Sequence, residues 1–204
     1  MYAFFKVALM ASLGFLTWLG TAVGGVPQAR LRGDAMSPDC NLLAVGVSRF
    51  SMRYSLLGGL SGWSEGVSSV RGMVGEIYLF DLQTRVLRKA LSIKAPPRMA
   101  KDTDFSIRPR LLPGNQLIFS VSGSLEEDRN FKDVKYYRAA ANGAVTEIAD
   151  WPEISAQESA SYERCTSSLT YGEKTTLVSM GPRSGPWTPV LAFDGQTLVP
   201  VAPP

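Results

Sequence analysis

An all-β fold of about three antiparallel meanders, led by one apolar N-terminal helix, is the architecture this sequence predicts. Three observations carry that expectation. From about residue 29 onward, short hydrophobic or alternating runs are separated by Gly, Pro, Asn and Asp, and no long stretch shows helical amphipathic spacing. Three hairpin-like segments recur: GEIYLFDLQTRVLRKAL (75–91), VKYYRAAANGAVTEI (134–148) and TPVLAFDGQTLVPV (188–201). The step from Tyr78 to Tyr136 is 58 residues and from Tyr136 to Leu191 it is 55. Finally, the chain opens MYAFFKVALMASLGFLTWLGTAVGGVPQAR, with no charge between Val7 and Gln28.

That opening comes first in the chain. Lys6 and the α-amino group precede the apolar run, which keeps the start in the cytoplasm by the positive-inside rule. Val7–Leu19 has the length of a signal peptide's apolar region, and Gly20–Ala22 or Ala22–Gly24 offers a small-residue cleavage site. The uncharged run nevertheless continues to the ~20 residues that span a bilayer, with Phe4, Phe5 and Trp18 as interfacial aromatics. The expected reading is a retained single-span anchor over 1–25, meeting the lipid bilayer through residues 3–25 of an inner (cytoplasmic) membrane. A cleaved signal releasing a soluble periplasmic protein is the alternative. Residues 26–34 then read as a linker, and 35–204 as an extracytoplasmic β domain. In that compartment a disulfide between Cys40 and Cys165 is allowed, with two free thiols as the other possibility.

Each hairpin has a strand before it: NLLAVGVS (41–48), QLIFSVSG (116–123) and TTLVSMG (175–181). Matching turns introduce the first two, Pro38-Asp39-Cys40-Asn41 and Pro113-Gly114-Asn115-Gln116. Weaker strands precede those turns, at about 29–36, 104–111 and 164–171. The turns inside the second and third hairpins are Asn142-Gly143 and Asp194-Gly195, and Asn-Gly supplies the positive φ of a tight hairpin.

Four-stranded meanders at a period above 50 residues are the mark of propeller-type blades. SPDCNLLAV followed by GEIYLFDLQTRVLRKAL resembles the blade consensus of TolB-type and WD-repeat-like propellers, where a Ser-Pro-Asp-Gly turn starts the second strand and an Ile-Tyr-hydrophobic-hydrophobic-Asp run forms the third. The likeness is good over 35–91, partial over 104–150 and faint over 164–202. Cys40 stands where that consensus has Gly, and the Trp-Asp pair of WD repeats is absent. What the resemblance implies is blade architecture, without a function. Propellers close with four to eight blades, so three blades imply an incomplete propeller whose edges a partner covers, or else a compact sandwich or barrel.

Composition removes several functions. The chain has no histidine, which excludes Ser-His-Asp and Cys-His catalysis and the commonest ligand for metals and haem. A net charge of +3, with no dense Lys/Arg run, gives no footprint for nucleic acid. No Gly-rich loop follows a strand and opens a helix, so nucleotide binding has no support. Gly62-Trp63-Ser64-Glu65-Gly66 matches the nucleophile-elbow pattern but lacks the strand-to-helix turn and the His base. Glu126, Glu127 and Asp128 lack the alternation of a calcium loop, and Asp102 with Asp104 reads as loop ion pairing. No catalytic, cofactor-binding or metal-ligating residue is assigned, and no cofactor is expected. Charge is unevenly spread: Arg85, Arg88, Lys89, Lys94, Arg98, Lys101, Arg108 and Arg110 face only Asp102 and Asp104, whereas 124–163 holds nine acids against four cations.

One segment invites a contact role. SRFSMRYSLLGGLSGWSEGVSSVRGMVG (48–75) reads as a long glycine-rich insertion, with Leu56, Leu57, Leu60 and Trp63 as partner-contact candidates. The sequence therefore leads to a non-catalytic, membrane-anchored accessory or stabilising subunit of a larger membrane protein complex, working through protein–protein contacts with other subunits. Alternatives are a secreted periplasmic propeller-like module binding peptide or glycan, and, with less support, a carboxylate-based hydrolase.

Overall fold

A computed structural model of the chain describes residues 26–54, 67–96, 99, 105–124, 132–140, 142–153 and 164–202. The fold is all-β and consists of three separate four-stranded antiparallel sheets, each a meander in chain order. Sheet one contains β1 (Val26–Met36), β2 (Leu42–Tyr54), β3 (Val67–Asp81) and β4 (Leu87–Lys94). Sheet two contains β5 (Ser106–Leu112), β6 (Gln116–Ser124), β7 (Lys132–Ala139) and β8 (Val145–Ile148). Sheet three contains β9 (Thr166–Tyr171), β10 (Thr176–Gly181), β11 (Thr188–Phe193) and β12 (Leu198–Pro200). The sheets do not merge into a closed barrel, which removes that alternative.

Sheet one is the middle layer. Successive side chains of a strand point to opposite faces, so Leu43, Val45, Val47 and Phe80 lie on one face while Ala44, Phe50, Ile77 and Leu79 lie on the other. The first set packs with Val178, Val190, Leu191 and Phe193 of sheet three. The second packs with Ile107, Leu111, Phe119 and Val121 of sheet two. Burial on both faces explains the unbroken apolar runs of β2 and of Ile77–Phe80, because a strand covered on both sides has no solvent face to keep polar. Sheet two also carries a ring stack of Phe119 on Tyr137, with centroids 5.2 Å apart.

Beside that core, the backbones of β5 and sheet one approach closely where two glycines leave room. A Cβ on Gly46 would fall on the carbonyl oxygen of Ile107 and within 3.1 Å of Pro109 Cδ. One on Gly75 would lie 2.9 Å from Ile107 Cδ1. These two glycines leave a flat track across β2 and β3 along which β5 lies.

The turns follow their side-chain chemistry. The Ser37 hydroxyl donates to Asp39 Oδ1 at 2.5 Å and accepts from the amide of Leu42 at 2.9 Å. Cys40 in this turn has φ 64°, the left-handed conformation that explains the Gly of the blade pattern. Cys40 is bonded to Cys165, with Cα atoms 5.7 Å apart, a usual disulfide span. Asp81, the last residue of β3, accepts from the amides of Gln83 at 3.0 Å and Thr84 at 2.8 Å, closing the turn into β4. Asp194 does the same for Gln196 and Thr197.

Three expectations are revised. Residues 26–34 are not a linker but most of β1, which pairs with β2 from Val26↔Met52 onward. The insertion 48–75 is largely a hairpin extension, since β2 runs to Tyr54 and β3 starts at Val67, with Ser51↔Arg71 and Met52↔Val70 in register. Its alternation of Phe50, Met52 and Tyr54 with polar residues is a strand signal, obscured by the glycines and by the bulge between Arg49 and Ser51. At Asn142-Gly143 only Gly143 takes positive φ (84°). The Ala140 carbonyl accepts from its amide, and Asn142 Oδ1 accepts from Ala144, so the turn is longer than a two-residue one.

Candidate binding cleft

The first strand of each meander lies at the edge of its sheet. Those three edges, β1, β5 and β9, converge on one cleft of about 850 Å³. β1 contributes Arg32 to Met36, β5 contributes Arg108 to Arg110, and the start of sheet three contributes Cys165, Thr166, Ser167 and Leu169. The face of sheet two turned away from the core forms a wall, because Arg108↔Ser120↔Tyr136 stand directly opposite one another across β5, β6 and β7. Their neighbours Ile107, Phe119 and Val121 point the other way, into the core. Period-two alternation thus sorts sheet two into an apolar face against sheet one and a polar, aromatic face toward the cleft.

Trp151 completes the wall. Its ring meets Tyr136 edge-on at 5.4 Å, and the Arg110 guanidinium sits 5.4 Å from the indole centroid. Arg110 is thereby held as a cation over an aromatic face, while Arg108 is exposed. On the opposite side lies Asp34. Burial pushes its carboxyl above the usual aspartate range, and the hydrogen bond with the Ser167 side chain works in the other direction. Among the described residues, three arginines, Arg32, Arg108 and Arg110, and one acid, Asp34, line the cleft, leaving this lining basic.

A second polar cluster lies between sheets one and three. The Glu76 carboxylate accepts from Arg49 Nε at 2.5 Å, Tyr78 Oη at 2.8 Å and Lys89 Nζ at 3.0 Å. Burial works to raise its pKa, but the donors prevail and hold it below the usual glutamate range. Arg49 Nη1 also donates to the Gln196 carbonyl at 2.9 Å, and Gln196 Nε2 donates to the Pro27 carbonyl at 3.0 Å. This network fastens the β11–β12 turn to sheet one.

Of the residues singled out in the sequence, the structure brings Cys40 and Cys165 together as a disulfide. Leu56, Leu57, Leu60, Trp63, the elbow-like 62–66, Asp102, Asp104 and 126–128 lie outside the described residues, as does the expected anchor 1–25. Among the described residues no helix is long and apolar enough to cross a membrane, and no group of three or more His, Cys, Asp or Glu is placed to hold a metal ion. Sequence reasoning missed Asp34, Tyr136 and Trp151, and it noted Arg108 and Arg110 only as members of a basic stretch. The available signal was Arg-Pro-Arg within a strand, which puts two cations on one face. No family model and no curated protein matches the chain.

Proposed function

We infer that this chain is a non-catalytic accessory subunit that works outside the cytoplasm and docks a partner in the cleft formed by β1, β5 and β9. The convergence of three sheet edges on one polar, aromatic-walled cleft is the observation that carries this reading. The packing order, with sheet one between sheets two and three, suits a three-bladed propeller-like arc left open between its second and third blades. The blade-like turn at Ser37–Asn41 and the Ile77–Asp81 run support that description. A single acid among the described lining of a basic cleft supports binding over acid–base chemistry, which uses two carboxyl groups of unequal pKa. The Cys40–Cys165 disulfide supports an oxidising compartment, and the apolar segment 1–25 supports a membrane anchor as the means of getting there.

The test fills the cleft. Thr166 lines it and is half-buried, so Thr166→Trp places a large ring there without removing core. After gentle solubilisation of native membranes, the wild-type full chain is expected to migrate with a larger assembly, and the Thr166→Trp chain as a lone polypeptide of 22.1 kDa. A wild-type chain running alone, or a variant that stays in the assembly, overturns the reading.

A further inference from the structure

The three sheets have six edge strands, and five of them carry a device against pairing with another chain. Charged side chains, proline, bulges and shortness are the means by which natural sheets protect their edges. β4 carries Arg88, Lys89 and Lys94, and β5 carries Pro109 between two arginines. β8 is four residues long with Glu147 among them. β12 is three residues long and ends on Pro200. β1 contains Pro27 and a register break between Leu31 and Gly33. β9, TSSLTY, has none of these: it is neutral, has no proline or glycine, and pairs with β10 in unbroken register from Thr166↔Gly181 to Tyr171↔Thr176.

Among the described residues nothing covers that edge by pairing. β9 is the last strand of its sheet, and β10 is its only ladder partner among the described residues. β1 does approach it, through the Asp34–Ser167 hydrogen bond. Asp34 shares a face with Val45, which is opposite it in register, and Ser167 alternates with Leu169 on the face toward the same core. Their contact is therefore between sheet faces and leaves the outer backbone edge of β9 unpaired among the described residues. Its far end is solvent-facing, with Tyr171 69% exposed.

We propose that β9 receives an extended segment of a partner protein by strand addition, and that the segment carries acidic side chains that meet Arg108 and Arg110 across the cleft. Main-chain hydrogen bonds along an open edge supply affinity in this mode, and alternate side chains supply selection. Here alternate residues of the added strand point toward the arginine-bearing wall of sheet two, where opposite charge favours Glu or Asp and penalises Lys. This inference rests on the cleft being the docking site and adds the mode of docking and the chemistry of the partner.

The experiment uses the full chain in mild detergent and three labelled peptides: Thr-Glu-Val-Glu-Val-Glu-Thr, the same peptide with Lys for Glu, and the Glu peptide N-methylated at alternate amides. Fluorescence anisotropy is expected to show the Glu peptide bound at least about tenfold more tightly than the Lys peptide, and no binding of the N-methylated one. Arg108→Glu is expected to reverse the preference, and Thr170→Lys, at an exposed position of β9, to weaken both. Hydrogen exchange is expected to slow in 166–171 when the Glu peptide is present. If binding survives N-methylation and charge reversal yet is lost in Thr166→Trp, strand addition by an acidic segment is wrong and the cleft reading stands. If no peptide binds and Thr166→Trp also leaves the native assembly intact, both fall.

Discussion

Replacing the disulfide separates two effects that the structure superimposes at Cys40. The bond joins residues 125 apart in sequence. In the chain-entropy account, a loop of that length restricts the unfolded chain by about 5 kcal/mol at 25 °C. Against the 5–15 kcal/mol that holds an ordinary domain together, such a loss lowers the melting temperature by roughly 10–20 °C in a chain of this size. Cys40 also sits at φ 64°, where a side chain costs about 1–2 kcal/mol and glycine costs almost nothing. The pair Cys40→Ser/Cys165→Ala loses the cross-link and keeps the strain. Cys40→Gly/Cys165→Ala loses the cross-link and relieves it. Both are expected to melt below the oxidised wild type, with the glycine version recovering about 1 kcal/mol over the serine version. Urea unfolding followed by β-sheet circular dichroism, with and without reductant, measures each difference. Equal midpoints for oxidised and reduced wild type refute the cross-link argument. A serine variant as stable as the glycine variant refutes the assignment of a left-handed residue to that turn.

Other expectations concern the interfaces. Gly46→Ala puts a methyl group on the Ile107 carbonyl and is expected to cost about 1–3 kcal/mol by forcing sheets one and two apart; a melting temperature unchanged from wild type denies the close approach. Glu76→Gln leaves Arg49 and Lys89 without a counter-charge and is expected to destabilise by about 1–3 kcal/mol at neutral pH. Because the folded pKa of Glu76 is lowered, its contribution is present above the ordinary glutamate range and disappears as pH falls through the folded value. The wild-type advantage over Glu76→Gln should therefore vanish in acid, and urea midpoints across that range check it. Asp34 has the opposite sign. Its folded pKa is raised, so its charge is a penalty above that value and none below the unfolded one. Asp34→Asn is expected to be as stable as wild type or up to about 1 kcal/mol more stable at neutral pH, with the gain shrinking on acidification. A marked loss at neutral pH contradicts the burial argument.

Strand composition was legible because it obeys local rules. The breaks at Pro38–Asn41, Pro113–Gln116 and Asp194-Gly195 mark real turns, and the described residues form twelve strands in three meanders around such breaks. The ends of the long hairpin were not legible, because six glycines between 58 and 75 mimic a loop while cross-strand pairing, a non-local interaction, decides where the strands stop. Packing order was hidden for the same reason. LLAVGVS announces a strand buried on both faces, yet nothing local says which sheets cover it. The cleft follows from that packing: Asp34, Tyr136 and Trp151 lie far apart in the chain and acquire a common setting only when β5 settles on the Gly46–Gly75 track. Arg108 and Arg110 show the alternation of a strand face, but which face becomes a wall depends on sheet one taking the other.

The sandwiched position of sheet one has a cost in time. A chain leaving the ribosome or a translocation pore presents its amino end first, so the first meander emerges with two greasy surfaces and neither later meander to hand, and the second meander then covers only one of them. Until residues 176–198 arrive, Val45, Val47 and Phe80 lack the sheet-three half of their cluster, Val178, Val190, Leu191, Phe193 and Leu198, and premature stops before that point should yield insoluble fragments. Oxidation of Cys40 must wait as well, since its mate is the last component to be delivered before the final meander closes over the assembly.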